Sequence, residues 1–359
     1  MQELLQQLPR WLKLLLVMPV VILNLWLVAL VLQFCQPLIT IFLIANLLAF
    51  ILDYPVQLLQ KWGIQRSYGV LAIIFLAGLG GILFSITLAP NFVEQLTGLS
   101  RRLPSWIESG SRQLQTLNTG LAAQNLPIDL SGVADQLNHL LPDEVKLLPN
   151  QVLSLVREIA DSLIEILLTA VFTLYLLLHG QAFWDGMFAR LPVTFGQTVR
   201  EALRLQFRNY FLGQVAIATL MGITLTTTFF LLKIPYWLVF GIGIGATVLI
   251  PFGDFLGIAV VSLLVALKSI WLGGEVLVIS ALIDQVIDNV IAPRILGKLV
   301  GLNPLWVLIA LILGAQIGGI LGILIAVPLA GSIKVMLDTL LPITATGVAE
   351  IEAGVSTSN

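Results

Sequence analysis

One cysteine, Cys35, stands among 359 residues, so no disulfide can form within the chain. The two histidines, His139 and His179, have no cysteine or second histidine near them at ligand spacing, which leaves no basis for a resident metal centre or for catalysis by one. Charge is scarce as well: 11% of the residues are charged, against about 25% in a soluble domain. The basic residues are dispersed and the net charge is -2, so the sequence carries no footprint for nucleic acid. The glycine runs GIGIG (241–245) and GAQIGG (314–319) are followed by no Lys-Ser/Thr pair and sit in no strand-to-helix setting, which excludes a nucleotide cradle and ATP drive. What is plentiful is apolar. The chain is 58% hydrophobic with a mean hydropathy of +0.99, and an all-α polytopic integral membrane protein is the class that fits.

Apolar runs divide the chain into membrane elements. Spans are expected at Leu14–Phe34, Pro37–Leu52, Gly69–Leu88, Ile159–Leu178, Tyr210–Leu232 and Gly274–Ile291. The first reads as a span and not as a cleaved signal, because its apolar run is long and no A-x-A site follows. Asp53-Tyr54-Pro55 is expected to end the second, and 181–208, with Arg190, Arg200, Arg204 and Arg208, to be a loop. Residues 91–157 are polar with apolar positions at helical spacing (Phe92, Leu96, Leu99, Leu103, Trp106), which predicts amphipathic helices outside the bilayer or lying in its interface.

Two stretches depart from the pattern. From Tyr236 to Leu267, apolar arms of about 14 residues, some 21 Å each as helices, flank the tip Pro251-Phe252-Gly253-Asp254. Neither arm spans a hydrocarbon layer of about 30 Å, and Pro251 with a Gly253 free to take positive φ lets the chain turn. Leu305–Lys334 repeats this logic around Gly314, Gln316, Gly318 and Gly319. Two re-entrant helical hairpins with about six full spans make eight membrane elements. The expected units are 1–90, N-terminal helices; 91–157, the amphipathic segment; 158–235, spans four and five; 236–341, a transport core; and 342–359, a disordered tail. Arginine and lysine in the short loops put both termini on the cytoplasmic side of a cell membrane and 91–157 outside, with the two hairpins entering from opposite faces so that their tips could meet. Ten ordinary spans would satisfy the same charge rule.

Several stretches then carry a resemblance: YPVQLLQKWGIQR (54–66), LYLLLHG (174–180), the Gly213-Gln214 pair, IPFGDFLG (250–257) and DNVIAPRILGKLVGLNPLWVLIALILGAQIGGILGILIAVPLAG (288–331). The chain resembles the AI-2E family of transporters, also called the autoinducer-2 exporter or PerM-like permease family. The resemblance implies an oligomeric permease of eight membrane elements; some members export a signalling furanone and others exchange Na⁺ for H⁺. The family often reads I-P-Y-x-G-P at the tip, where this chain has IPFGDF.

Charge at membrane depth is costly, so each acid there is a functional candidate. Asp284 and Asp288 lie four apart on one helix face, with Gln285 and Asn289 beside them. Two such carboxylates resist simultaneous ionisation, which suits proton exchange, and oxygen-rich side chains near a broken helix also suit Na⁺. The competing role is pairing with Arg294. Asp254 binds a cation or amine, or caps the second arm. Gln316 and Gln214 suit a small polar solute, or a helix–helix hydrogen bond. Pro251, Gly253, Gly314, Gly318 and Gly319 supply the backbone of the tips. The stripe Arg157, Asp161 and Glu165 reads as a solvated or mutually paired face. The leading expectation is a secondary transporter of a small polar solute, driven by H⁺ or Na⁺, with no cofactor and a homo-oligomer in the lipid bilayer. A Na⁺/H⁺ antiporter, a non-transporting scaffold docking through 91–157, and an intramembrane aspartyl protease using Asp53 with Asp254 are the alternatives.

Overall fold

The computed structural model describes residues 33–123, 162–188, 193–296 and 303–340, with isolated positions at 18–31, 132 and 151–158. Every regular element among them is helical. In chain order these are α1 (Gln36–Lys61), α2 (Arg66–Thr87), α3 (Ala89–Ala123), α4 (Leu163–Phe188), α5 (Val193–Leu231), α6 (Trp237–Thr247), α7 (Gly253–Lys268), α8 (Ile270–Val286), a π-helical turn (Ile287–Ile291), α9 (Ala292–Leu296) and α10 (Pro304–Leu340). By length and composition, six helical stretches among the described residues can cross a membrane: α1, α2, α4, most of α5, the run Ile270–Arg294 and α10. Five of these are the second to sixth expected spans. The sixth is the second expected hairpin; about half of the expected first span lies outside the described residues, as do the turn signals at 125–127 and 141–143, Asp161 and the tail.

Two expected boundaries move. α1 continues through Pro55 to Lys61. A proline removes one hydrogen bond of the ladder, but Asp53 is held by two partners, accepting from Gln57 at 2.6 Å and from Arg66 at 2.9 Å. Arg66 also donates to the Leu177 carbonyl at 2.8 Å, tying α1, α2 and α4 together. The expected loop 181–208 is helix from both sides, with α4 running to Phe188 and α5 starting at Val193. Arg200, Arg204 and Arg208 therefore stand at four-residue spacing on one face of α5.

α5 runs through the centre, packing against α1, α4, α6, α8, α9 and α10. Its C-terminal half forms the main core with α6 and α7, where Met221, Leu225, Phe229, Ile244 and Val265 are almost fully buried. Gly241 and Gly245 permit close approach to α5: a Cβ would lie 2.5 Å from the Thr226 Cα at the first and 2.6 Å from the Gly222 Cα at the second. A smaller core joins Tyr210 and Phe211 of α5 to Leu47 of α1 and Val327 of α10.

α10 is folded on itself. Gly314 and Gly322 would be about 12 Å apart along a straight helix. Instead a Cβ on Gly314 would meet the Gly322 carbonyl oxygen at 2.5 Å and the Ala326 Cβ at 2.9 Å. The reversal is made at Gly319, whose φ of 56° and ψ of −136° suit only glycine.

α3 is one long amphipathic helix with its apolar face on the base of the first hairpin. Trp106 lies 5.6 Å from the Tyr236 ring, and Gln95 accepts a hydrogen bond from the Leu238 N–H, in the first turn of α6, at 3.1 Å. Gln113 accepts from the Ile270 N–H at 3.0 Å and donates to the Leu267 carbonyl at 3.1 Å, so one amide serves the end of α7 and the start of α8. Gln113→Leu keeps the bulk and strands both main-chain groups, at about 1–3 kcal/mol. A lowered thermal midpoint in detergent is expected, with a smaller drop for Gln113→Glu, which keeps the acceptor.

Candidate functional site

Ser269 is the single residue between α7 and α8, and the expected sixth span thus starts at Ile270, four residues earlier than its apolar run suggests. α7 and α8 pack side by side as an antiparallel pair. Asp254 lies fifteen residues before Ser269 and Asp284 fifteen after it, so the pairing brings them level, about 21 Å from the turn. Asp288, one turn on, completes the group: the carboxylates of Asp254, Asp284 and Asp288 offer oxygens that all lie within 4.8 Å of one another. Asp254 and Asp284 are half-buried and Asp288 is exposed. A hard cation of calcium's size holds oxygens at about 2.3–2.6 Å, which sets opposite donors roughly 5 Å apart. The donor set is all oxygen, of the hard-cation kind and unlike a His/Cys zinc site.

The tip that carries Asp254 is built by close packing. Leu249, Ile250 and Gly253 donate to carbonyls three residues earlier, closing the turn after α6. The positive φ expected of Gly253 falls on Phe252, at 64°. Gly253 is needed for space, because a Cβ there would overlap the Thr247 carbonyl. Pro251 sits half-buried in the turn. Asp254 Oδ1 accepts the Phe255 N–H at 2.8 Å, a first-turn contact of the capping kind, although the N-cap itself is Phe252. Its other oxygen leaves Asp254 a place in the carboxylate group.

The remaining candidates lie elsewhere. Gln214 of α5 donates to the Val248 carbonyl, which the broken end of α6 leaves free; it supports the tip. Asn289 donates to the side-chain and main-chain oxygens of Gln285, both at 2.9 Å, on the exposed side of α8. Gln316, Gly318 and Gly319 stand exposed at the other hairpin's tip, with Gly314 packed against the return arm. Asp254 thus finds its partners on α8 and not on 314–319; the second hairpin lies on the 207–211 stretch of α5. Among the described residues no ion pair joins Asp284 or Asp288 to Arg294, and Asp53 is paired with Arg66, away from Asp254. The π-helical turn that contains Asp288 and Asn289 had no signal in the sequence; such turns recur at functional sites. Gln95 and Gln113 were also missed, since their role depends on which helix α3 meets.

Long apolar helices around two chain reversals, with three carboxylates gathered where α7 begins, are the features of a multi-pass membrane protein. The match to known proteins is specific. The model of the AI-2E family transporter covers residues 16–342, and the chain belongs to that family. It is 36% identical to "Putative transport protein sll0060" of Synechocystis sp. (strain ATCC 27184 / PCC 6803 / Kazusa), over 92% of this chain and 96% of that protein. It is 39% identical to "Putative transport protein sll0063" of the same organism, over 88% of this chain and 81% of that protein. To "AI-2 transport protein TqsA" of Escherichia coli (strain K12) it is 27% identical, over 85% of this chain and 87% of that protein.

Proposed function

We propose that this protein is a secondary-active exporter of a small polar solute, of the autoinducer-2 furanone class, and that Asp254, Asp284 and Asp288 carry the coupling ion, H⁺ or Na⁺. The observation that carries the reading is the meeting of three carboxylates within 4.8 Å at a hairpin tip. Three negative charges in that space need protons or a cation to balance them, and the ion's departure lets them repel. TqsA's name supplies the solute class. Gln214 is read as a support of the tip, Asn289 as a bond to Gln285 outside the cluster, and Gln316 as a solute contact at the tip of the other hairpin.

Both hairpins are read as re-entrant, which gives eight membrane elements with the expected first span. Support comes from α3: its glutamines meet both ends of the first hairpin, at Leu238 and at Leu267 and Ile270, so the hairpin returns to the face it leaves. From that face the carboxylates lie about 21 Å deep, roughly two-thirds of a 30 Å hydrocarbon layer. The arginine-bearing ends of α2 and α5 belong to the opposite face, read as cytoplasmic with both termini. The unit 236–341 is the transport core, and copies of the chain associate through outward apolar faces. α3 spends its apolar face on the hairpin, which disfavours the scaffold reading.

The test is efflux of the furanone from proteoliposomes under an imposed pH gradient or Na⁺ gradient. Either gradient should accelerate wild-type flux, and Asp254→Asn/Asp284→Asn should lose the acceleration. A Na⁺/H⁺ antiporter would instead move protons, reported by an entrapped dye, on Na⁺ addition without solute. Gradient-driven flux that is equal in the double variant would rule out the assigned site.

A further inference from the structure

A second polar site lies between α1, α2, α4, α5 and α10, at the end of the bundle away from α3. It is a cavity of about 280 Å³ whose lining includes Arg66, Arg200, Arg204 and Arg208 against a single carboxylate, Asp53. That volume is at the small end of the roughly 300–1,000 Å³ of ligand pockets. Arg66 is engaged by Asp53 and Arg200 by Asp185. Arg204 and Arg208 have no carboxylate partner among the described residues. The Arg208 Nε is also buried with no hydrogen-bond acceptor. Arg204 is exposed at the edge of the cavity, and the buried Arg208 donor left unpaired costs about 1–3 kcal/mol, so an anion seated between the two would satisfy it and ease their repulsion one helical turn apart.

We propose that this cavity binds a phosphate monoester. A monoester carries about −1.5 to −2 charges at neutral pH, which balances two free guanidiniums as a singly charged carboxylate does not. Its oxygens match the guanidinium fork, and Trp184 in the cavity wall supplies an apolar surface for the group it esterifies. The bearer is either a free organic phosphate or a lipid with a monoester headgroup. This site is separate from the carboxylate cluster and does not rest on the coupling proposal.

The test uses full-length protein in detergent, titrated with phenyl phosphate and, separately, benzoate, and protein in phosphatidylcholine nanodiscs with or without phosphatidic acid. A free-phosphate site gives saturable phenyl phosphate binding, at least tenfold weaker in Arg208→Gln and in Arg204→Gln, with Arg208→Lys in between and benzoate weak. A lipid site gives instead a thermal midpoint raised by phosphatidic acid, with the rise lost in the same variants. Should Arg208→Gln fail to fold, Arg204→Gln and Arg208→Lys carry the comparison. No response to either probe, a response unchanged in the variants, or benzoate binding as tightly as phenyl phosphate would overturn the proposal.

Discussion

Gly322→Val should cost most of the yield of folded protein. Gly322 is buried where the two arms of α10 cross, and a Cβ there would overlap the Gly314 carbonyl. The obstacle is main chain, so no rotamer change relieves it. Overpacking costs typically 1–3 kcal/mol and more where nothing can yield, which points to the upper end. At about 2–4 °C per kcal/mol, the thermal midpoint falls by roughly 6–12 °C. Gly318→Ala is the control: a Cβ at Gly318 meets nothing within 4 Å, and its midpoint should stay within about 2 °C. Thermal unfolding followed by size-exclusion chromatography reads both. Equal behaviour of the two variants would show that α10 does not fold back at Gly319.

Asp284→Asn should reduce gradient-driven flux at least tenfold while leaving the midpoint near that of the wild type. Asp284 is central in the carboxylate group, half-buried between Asp254 of the tip and Asp288 one turn on. The amide keeps the shape and removes the charge that a coupling ion balances, so the loss falls on coupling and not on folding. Asn289→Ala separates the site from its surroundings. Asn289 bonds Gln285 on the outward side of the helix, and its removal should change flux by less than about threefold, the size of one exposed polar contact. Flux of both variants under the same pH and Na⁺ gradients decides. A tenfold loss in Asn289→Ala with normal flux in Asp284→Asn would invert the assignment.

The two chain reversals were legible because their signals are local. Arms too short to span, Pro251 at one reversal and paired glycines at the other follow from residue geometry alone, and Gly319 takes the positive φ that its position suggests. Asp284 and Asp288 stood out as a pair four apart on one helix face, and Asp254 by itself, since an acid in an apolar run is costly wherever it lies. Their convergence was less visible: it follows from Ser269 being the entire connection between α7 and α8. The misplaced boundaries share a cause. Pro55 and the polar run 181–208 look like breaks in isolation, but Arg66 holding Asp53 and the Leu177 carbonyl, and α5 packing on its neighbours, extend the helices past them. The positive φ falls on Phe252, while Gly253 is needed for the space beside Thr247, a contact that composition does not encode.

The approach of Asp254 at the hairpin tip to Asp284 of α8 can be read with thiols because Cys35 is the one native cysteine. In a Cys35→Ser background, Asp254→Cys/Asp284→Cys is treated with a short bifunctional thiol reagent and the monomer is weighed by intact mass spectrometry. One reagent bridging both thiols is expected, and two singly attached reagents in Asp254→Cys/Leu282→Cys, whose second position lies on another face of α8. Two singly attached reagents in both proteins would contradict it.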